Sequence, residues 1–261
     1  MTLIIDTKGW SRVTIDDLTN TTPPARVLGP QHTPVPHRAF VETILRSLDK
    51  MKLDYELDLA LKTEPVEKKD LVVETPDLIG ELKVNGTTYI NGLAQGRMLA
   101  FRNSHVMRAA ASIVAGAKVF ICSNMAMVGT QNLLHRRHTH RVDILGEVQE
   151  ALPRAVESWE WNEKNQEFLS LVQLRDVEEA EALSFRLLRR GALPPNTLKR
   201  GFELWRDGKT PDVQGASYWS LLQGFTRALN RLNPADQHRY APSVGFWTLD
   251  EARRKTREGR S

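Results

Sequence analysis

Leu53, Tyr55, Leu57, Leu59 and Leu61 alternate with Asp54, Glu56, Asp58, Ala60 and Lys62. A period of two sends the leucines and the tyrosine to one face of an extended chain and the charged residues to the other. The stretch is therefore a strand with one core face and one wet face, and it needs partners in a sheet. Three further strand-like runs follow, at about 79–92, 95–103 and 111–127. Asn85-Gly86 carries hairpin chemistry, because both residues tolerate positive φ. Residues 63–78, charged and holding Pro65 and Pro76, read as a loop.

Ahead of the strand, Phe40, Val41, Ile44, Leu45, Leu48 and Met51 recur at helical spacing, starting near Pro36. Residues 1–35, with Pro23-Pro24, Gly29-Pro30, Pro34 and Pro36 at their end, read as a flexible arm. After Asp143 the pattern becomes acidic, amphipathic and helical, with Pro153 as a break. Asp176 and Glu179 suit a capping box, Arg189-Arg190-Gly191 suits a helix end, and helices are expected near 195–206 and 216–231. The expectation is an α+β fold. An antiparallel sheet with an early packing helix forms a core over 36–142, a helical part follows over 143–247, and 248–261 is a basic tail.

Charge is distributed unevenly along this plan. From Leu82 to Val142 the chain has no Asp or Glu, yet it holds Lys83, Arg97, Arg102, Arg108, Lys118, Arg136, Arg137 and Arg141. The net charge of +4 hides that polarity. Such one-sidedness points to a polyanionic partner, most plausibly nucleic acid. The alternative is a buried sheet with little room for acids, although such a sheet would exclude bases as well.

The bulk composition excludes other classes. No apolar run is long enough for a membrane span, and the first residues lack a signal-peptide pattern. A single cysteine, Cys122, rules out an internal disulfide, and the expected setting is reducing and cytoplasmic. No P-loop, dinucleotide glycine fingerprint or nucleophile elbow occurs.

Three clusters invite chemical readings. In His135-Arg136-Arg137-His138-Thr139-His140-Arg141, His138 and His140 share a face if the run is a strand. The interspersed arginines repel a divalent cation and welcome phosphate, so neither metal nor cofactor is expected. Asn103-Ser104-His105 suits a turn, and its adjacent Ser and His point apart on a strand, which is no nucleophile–base pair. Asp77, Glu81 and Lys83 caricature the carboxylate–lysine set of Mg²⁺-dependent nucleases, at an unusually short spacing. Phe101 and Phe120 read as core in preference to base-stacking platforms.

The stretch Phe101-Arg-Asn-Ser-His105, with Ala111 to Asn124 ending in Cys122-Ser123-Asn124, resembles the phage/plasmid-like protein family (domain-of-unknown-function family 932). The likeness extends over roughly 37–232 and includes the aromatic helix from Tyr218-Trp219 to Asn230. The family often follows Asn-Ser-His with Asp-Gly, where this chain has Val106-Met107. The resemblance carries no reaction with it and implies a mobile genetic element as context.

The expected function is single-stranded DNA binding or annealing by a phage or mobile-element protein in the host cytoplasm. Arg97, Arg102, Arg108, Lys118, Arg136, Arg137 and Arg141 would contact phosphates, and His138 and His140 would add hydrogen bonds. Basic and acidic parts in one chain also suit a homo-oligomer. The rival is an interaction protein that blocks a host defence through a protein partner, with the acidic helices over 143–181 as its working face.

Overall fold

The computed structural model describes residues 10–23, 31–68, 71–90, 93–105, 110–119, 124–126, 132–232 and 234–259. The strands are β1 (Ser11–Val13), β2 (Tyr55–Lys68), β3 (Leu71–Ile90), β4 (Leu93–Ser104), β5 (Ala111–Val119), β6 (Asn124–Ala126) and β7 (Asn132–Arg136). The helices are α1 (His37–Lys50), α2 (Ile144–Ala151), α3 (Arg154–Leu171), α4 (Val177–Arg189), α5 (Pro195–Asp207), α6 (Tyr218–Leu229) and α7 (Pro234–Glu258). The protein is α+β: an antiparallel sheet followed by helices. Strand order is β1-β2-β3-β4-β5-β6, and β7 also pairs with β5. The chain divides into two compact units, Met1–Asn85 with Met98–Ala115 and Asn132–Glu157, and Gly86–Arg97 with Gly116–Gln131 and Ser158–Ser261.

In the first unit β2 and β3 form a long antiparallel ladder from Tyr55↔Val84 to Lys68↔Leu71. The expected loop over 63–78 is therefore strand at 63–68 and 71–78. Beyond Leu61, β2 has no β1 residue beside it. An outer strand accepts both proline and charge, and this is why residues 63–68 of β2 mimic a loop in sequence. The hairpin expected at Asn85-Gly86 is absent, since both residues lie inside β3. Gly86, at φ 134°, lets the strand continue through a conformation closed to other residues.

Helix α1 buries Phe40, Val41, Ile44 and Leu48 completely. Phe40 meets Phe101 of β4 at 6.1 Å between ring centroids. The Phe101 ring occupies the space above Gly80 of β3, where any Cβ would overlap it. The arm expected over 1–35 contains ordered structure: β1 pairs with Leu59–Leu61 of β2, and Trp10 and Leu18 are buried.

The second unit is mainly helical. Helix α6 is buried nearly all round, as a central helix must be. Gly224 of α6 lies against the Gly201 carbonyl of α5, and these two glycines allow the helices to approach closely. Gly191, at φ 65°, follows α4 as expected. Asp176 caps α4 by accepting from the Glu179 amide at 2.7 Å, while Glu179 accepts from the amide of Arg175, one residue earlier than a capping box requires. The expected basic tail is helix α7 as far as Glu258. Leu249 and Ala252 are buried, and Lys255 Nζ donates to both Glu179 oxygens at 2.6 and 2.8 Å. Among the described residues, no helix is long and apolar enough to cross a membrane.

Candidate nucleic-acid interface

The run His135–Arg141 begins on β7 and leaves it. Ala111↔Arg136 and Ser112↔His135 are its last pairings with β5, and the strand ends at Arg136. The chain then turns, with the Val142 amide donating to the Thr139 carbonyl at 3.1 Å. Asp143 follows as the cap of α2 and accepts from the Gly146 amide at 3.0 Å. The run is thus fixed at both ends by regular structure.

Within it, His135, Arg136, Arg137, His140 and Arg141 are exposed. Arg136 Nε donates to Glu147 Oε2 at 2.5 Å, in a pair that is itself solvent-accessible. Among the described residues Arg137 and Arg141 have no ion-pair partner. His138 departs from expectation: it is 2% exposed and has no surface to offer a phosphate. The alternation that put it on a face with His140 holds only on a strand, and the strand has already ended.

Of the remaining predicted contacts, Arg97 and Arg102 do not join this patch as free cations. Arg102 NH2 lies 3.1 Å from Asp77 Oδ2, with both side chains mostly buried. Arg97, in the second unit, lies 3.0 Å from Glu163 and 5.9 Å from the Trp159 ring centre. Each of these arginines is neutralised within its own unit. Arg108 lies outside the described residues, and so do Cys122 and Ser123 of the Cys122-Ser123-Asn124 motif. Lys118 is on β5, and of it the backbone alone is described.

His138 belongs to a buried cluster with His32, His37 and Asn103-Ser104-His105. The hub is Val35. Its amide donates to His138 Nδ1 at 3.3 Å, and its carbonyl accepts from Asn103 Nδ2 at 2.9 Å and His105 Nε2 at 3.1 Å. Asn103 Nδ2 also donates to His37 Nδ1 at 2.9 Å, and His32 Nε2 donates to the His105 carbonyl at 3.1 Å. These bonds assign neutral tautomers, with the proton of His105 on Nε2 and that of His138 on Nε2. Burial holds both rings down to about pKa 4, so they are uncharged near neutrality. Asn103-Ser104-His105 is therefore a clasp for the segment leading into α1. The motif was expected as a turn, but Asn103 and Ser104 end strand β4 and only His105 lies beyond it, and the partners were not foreseen. The available signal was His32 and His37 bracketing a proline-stiffened segment.

Of the nuclease-like residues, two are committed to local charge pairs and the third is buried. Asp77 holds Arg102, Lys83 Nζ lies 3.0 Å from Glu56, and Glu81 is buried. Among the described residues, no group of three or more His, Cys, Asp or Glu side chains is arranged to hold a metal ion. Phe101 is fully buried core.

In the second unit a cavity of about 440 Å³ is lined by Arg175, Glu179, Arg186, Tyr218, Glu251, Arg254 and Lys255 among others. Its cations serve its own carboxylates: Arg186 and Arg254 approach Glu251 Oε2 at 2.6 and 2.7 Å. Burial pushes the Tyr218 hydroxyl up to about 12, leaving a neutral phenol beside this network.

Compared with protein-family models, curated proteins and solved structures, the chain matches none.

Proposed function

We propose that this protein binds the phosphate backbone of nucleic acid through the run His135–Arg141, with single-stranded DNA as the favoured ligand. The observation that carries the reading is the exposure of His135, Arg136, Arg137, His140 and Arg141 on a backbone fixed at both ends. Asp143, the first acid after the run, is engaged as a helix cap. With Arg97 and Arg102 internally paired, the interface is smaller than the sequence suggests. Three arginines give a salt slope of about −2 on single strands, which belongs to modest, sequence-tolerant binding. The mobile-element setting rests on the resemblance to phage and plasmid proteins, the host-cell cytoplasm on that setting together with the single cysteine, and the preference for single strands, with recombination or replication as process, on an analogy of fold class to phage annealing proteins. Self-association into a homo-oligomer is part of the same proposal.

The test is fluorescence anisotropy with labelled single-stranded and duplex DNA at low salt. Binding that favours single strands supports the reading, and no binding to either form refutes it.

The rival reading, a host-directed interaction protein, is favoured by one observation. Phe185 stands 66% exposed on α4, beside the exposed Glu178 and Glu181. A stoichiometric host protein captured after nuclease treatment, and lost in Phe185→Glu, would favour that reading over nucleic-acid binding.

A further inference from the structure

We infer that His138 is a positioning residue for the basic run: it holds the run's backbone from inside so that Arg137 and Arg141 are presented in a fixed arrangement. This rests on the nucleic-acid reading. His138 lies at the midpoint of the run and is its one buried side chain. Its Nδ1 accepts from the Val35 amide, and the Val35 carbonyl is gripped in turn by Asn103 and His105. A second tie runs alongside, from the His140 amide to the Gln31 carbonyl at 3.3 Å. The run is thereby fastened to the 31–35 segment, and that segment to the end of β4. A loop ordered in advance does not pay its ordering cost when a ligand binds. The clasp therefore contributes affinity without touching the ligand or adding charge.

The experiment compares His138→Leu and His138→Asn with the unaltered protein, by anisotropy on labelled oligothymidylate across a salt series and by thermal denaturation. Leucine fills the space but leaves the Val35 amide without an acceptor, whereas the Asn oxygen replaces Nδ1. His138→Leu should weaken binding by about three- to tenfold with an unchanged salt slope, because every arginine remains. His138→Asn should recover affinity to within about twofold. If His138→Leu does not fold, His32→Leu takes its place: it removes one bond from the far side of the clasp and should weaken binding in the same direction. A folded leucine variant with unaltered affinity overturns the inference. Arg137→Ala with Arg141→Ala is measured in parallel. If that pair leaves binding unchanged, the nucleic-acid reading itself has failed. If the pair weakens binding and the leucine variants do not, only the positioning role has failed.

Discussion

The imidazole rings of His37 and His105 stack face to face, 3.8 Å between centroids and 6° from parallel. Neutral rings tolerate that geometry, while two imidazolium ions at this separation would repel strongly. The stack joins the start of α1 to the end of β4, so its protonation state bears on stability. His105 and His138 stay neutral in the folded protein down to about pH 4, whereas an unfolded histidine takes its proton near 6.5. Asp77 pulls the other way on His105 but is itself paired with Arg102. Between those limits the unfolded state binds more protons, so acid favours unfolding. Stability should be flat above about pH 6.5 and fall by up to about 1.4 kcal/mol per pH unit for each such histidine as pH drops towards 4. Denaturant midpoints across that range measure this. A flat profile between pH 6.5 and 4.5 would show that the cluster is not sealed from protons.

Gly80 and Phe101 make a second checkable pair. The ring lies over the glycine and is backed by Phe40 of α1, so it has little freedom to swing aside. Gly80→Ala should cost about 1–3 kcal/mol, and adding Phe101→Leu should restore part of the loss. Equal midpoints for Gly80→Ala and the parent protein would contradict this packing.

Glu147 shields one arginine of the proposed interface. Its pair with Arg136 is exposed and contributes little to stability. Glu147→Gln should leave the denaturation midpoint nearly unchanged and tighten binding to single-stranded DNA, because it removes the carboxylate that competes with phosphate for Arg136. Weaker binding in Glu147→Gln would place the ligand elsewhere.

The last turns of α7 are structural. Ending the chain at Thr248 removes Leu249 and Ala252 from the core, and Glu251 from Arg186 and Arg190. Several kcal/mol should be lost, lowering the melting temperature by at least about 5 °C. A mobile basic tail would predict no change in a thermal scan.

The fold was legible where one period dominated. Alternation from Leu53 to Lys62 announced β2, and spacing from Phe40 to Leu48 announced α1. Reading failed where two causes share one signature. Pro65 and charge mark loops, but they are also at home on the outer part of β2. Arg253-Arg254-Lys255 looks like a solvated end, yet Lys255 reaches Glu179 and Arg253 reaches Asn165 only once α3, α4 and α7 have come together. The basic run was visible as composition. The burial of His138 was not, because it depends on where β7 stops and on Val35, far away in sequence.

The central claim is that exposed arginines of the 135–141 run carry the phosphate contacts. The most direct measurement is the salt dependence of oligothymidylate binding, for the parent protein and for Arg137→Ala with Arg141→Ala. The parent slope should be about −2, and the double variant should lose about 1.4 of it while its melting temperature stays within a few degrees. Identical slopes and affinities in the two proteins would contradict the account.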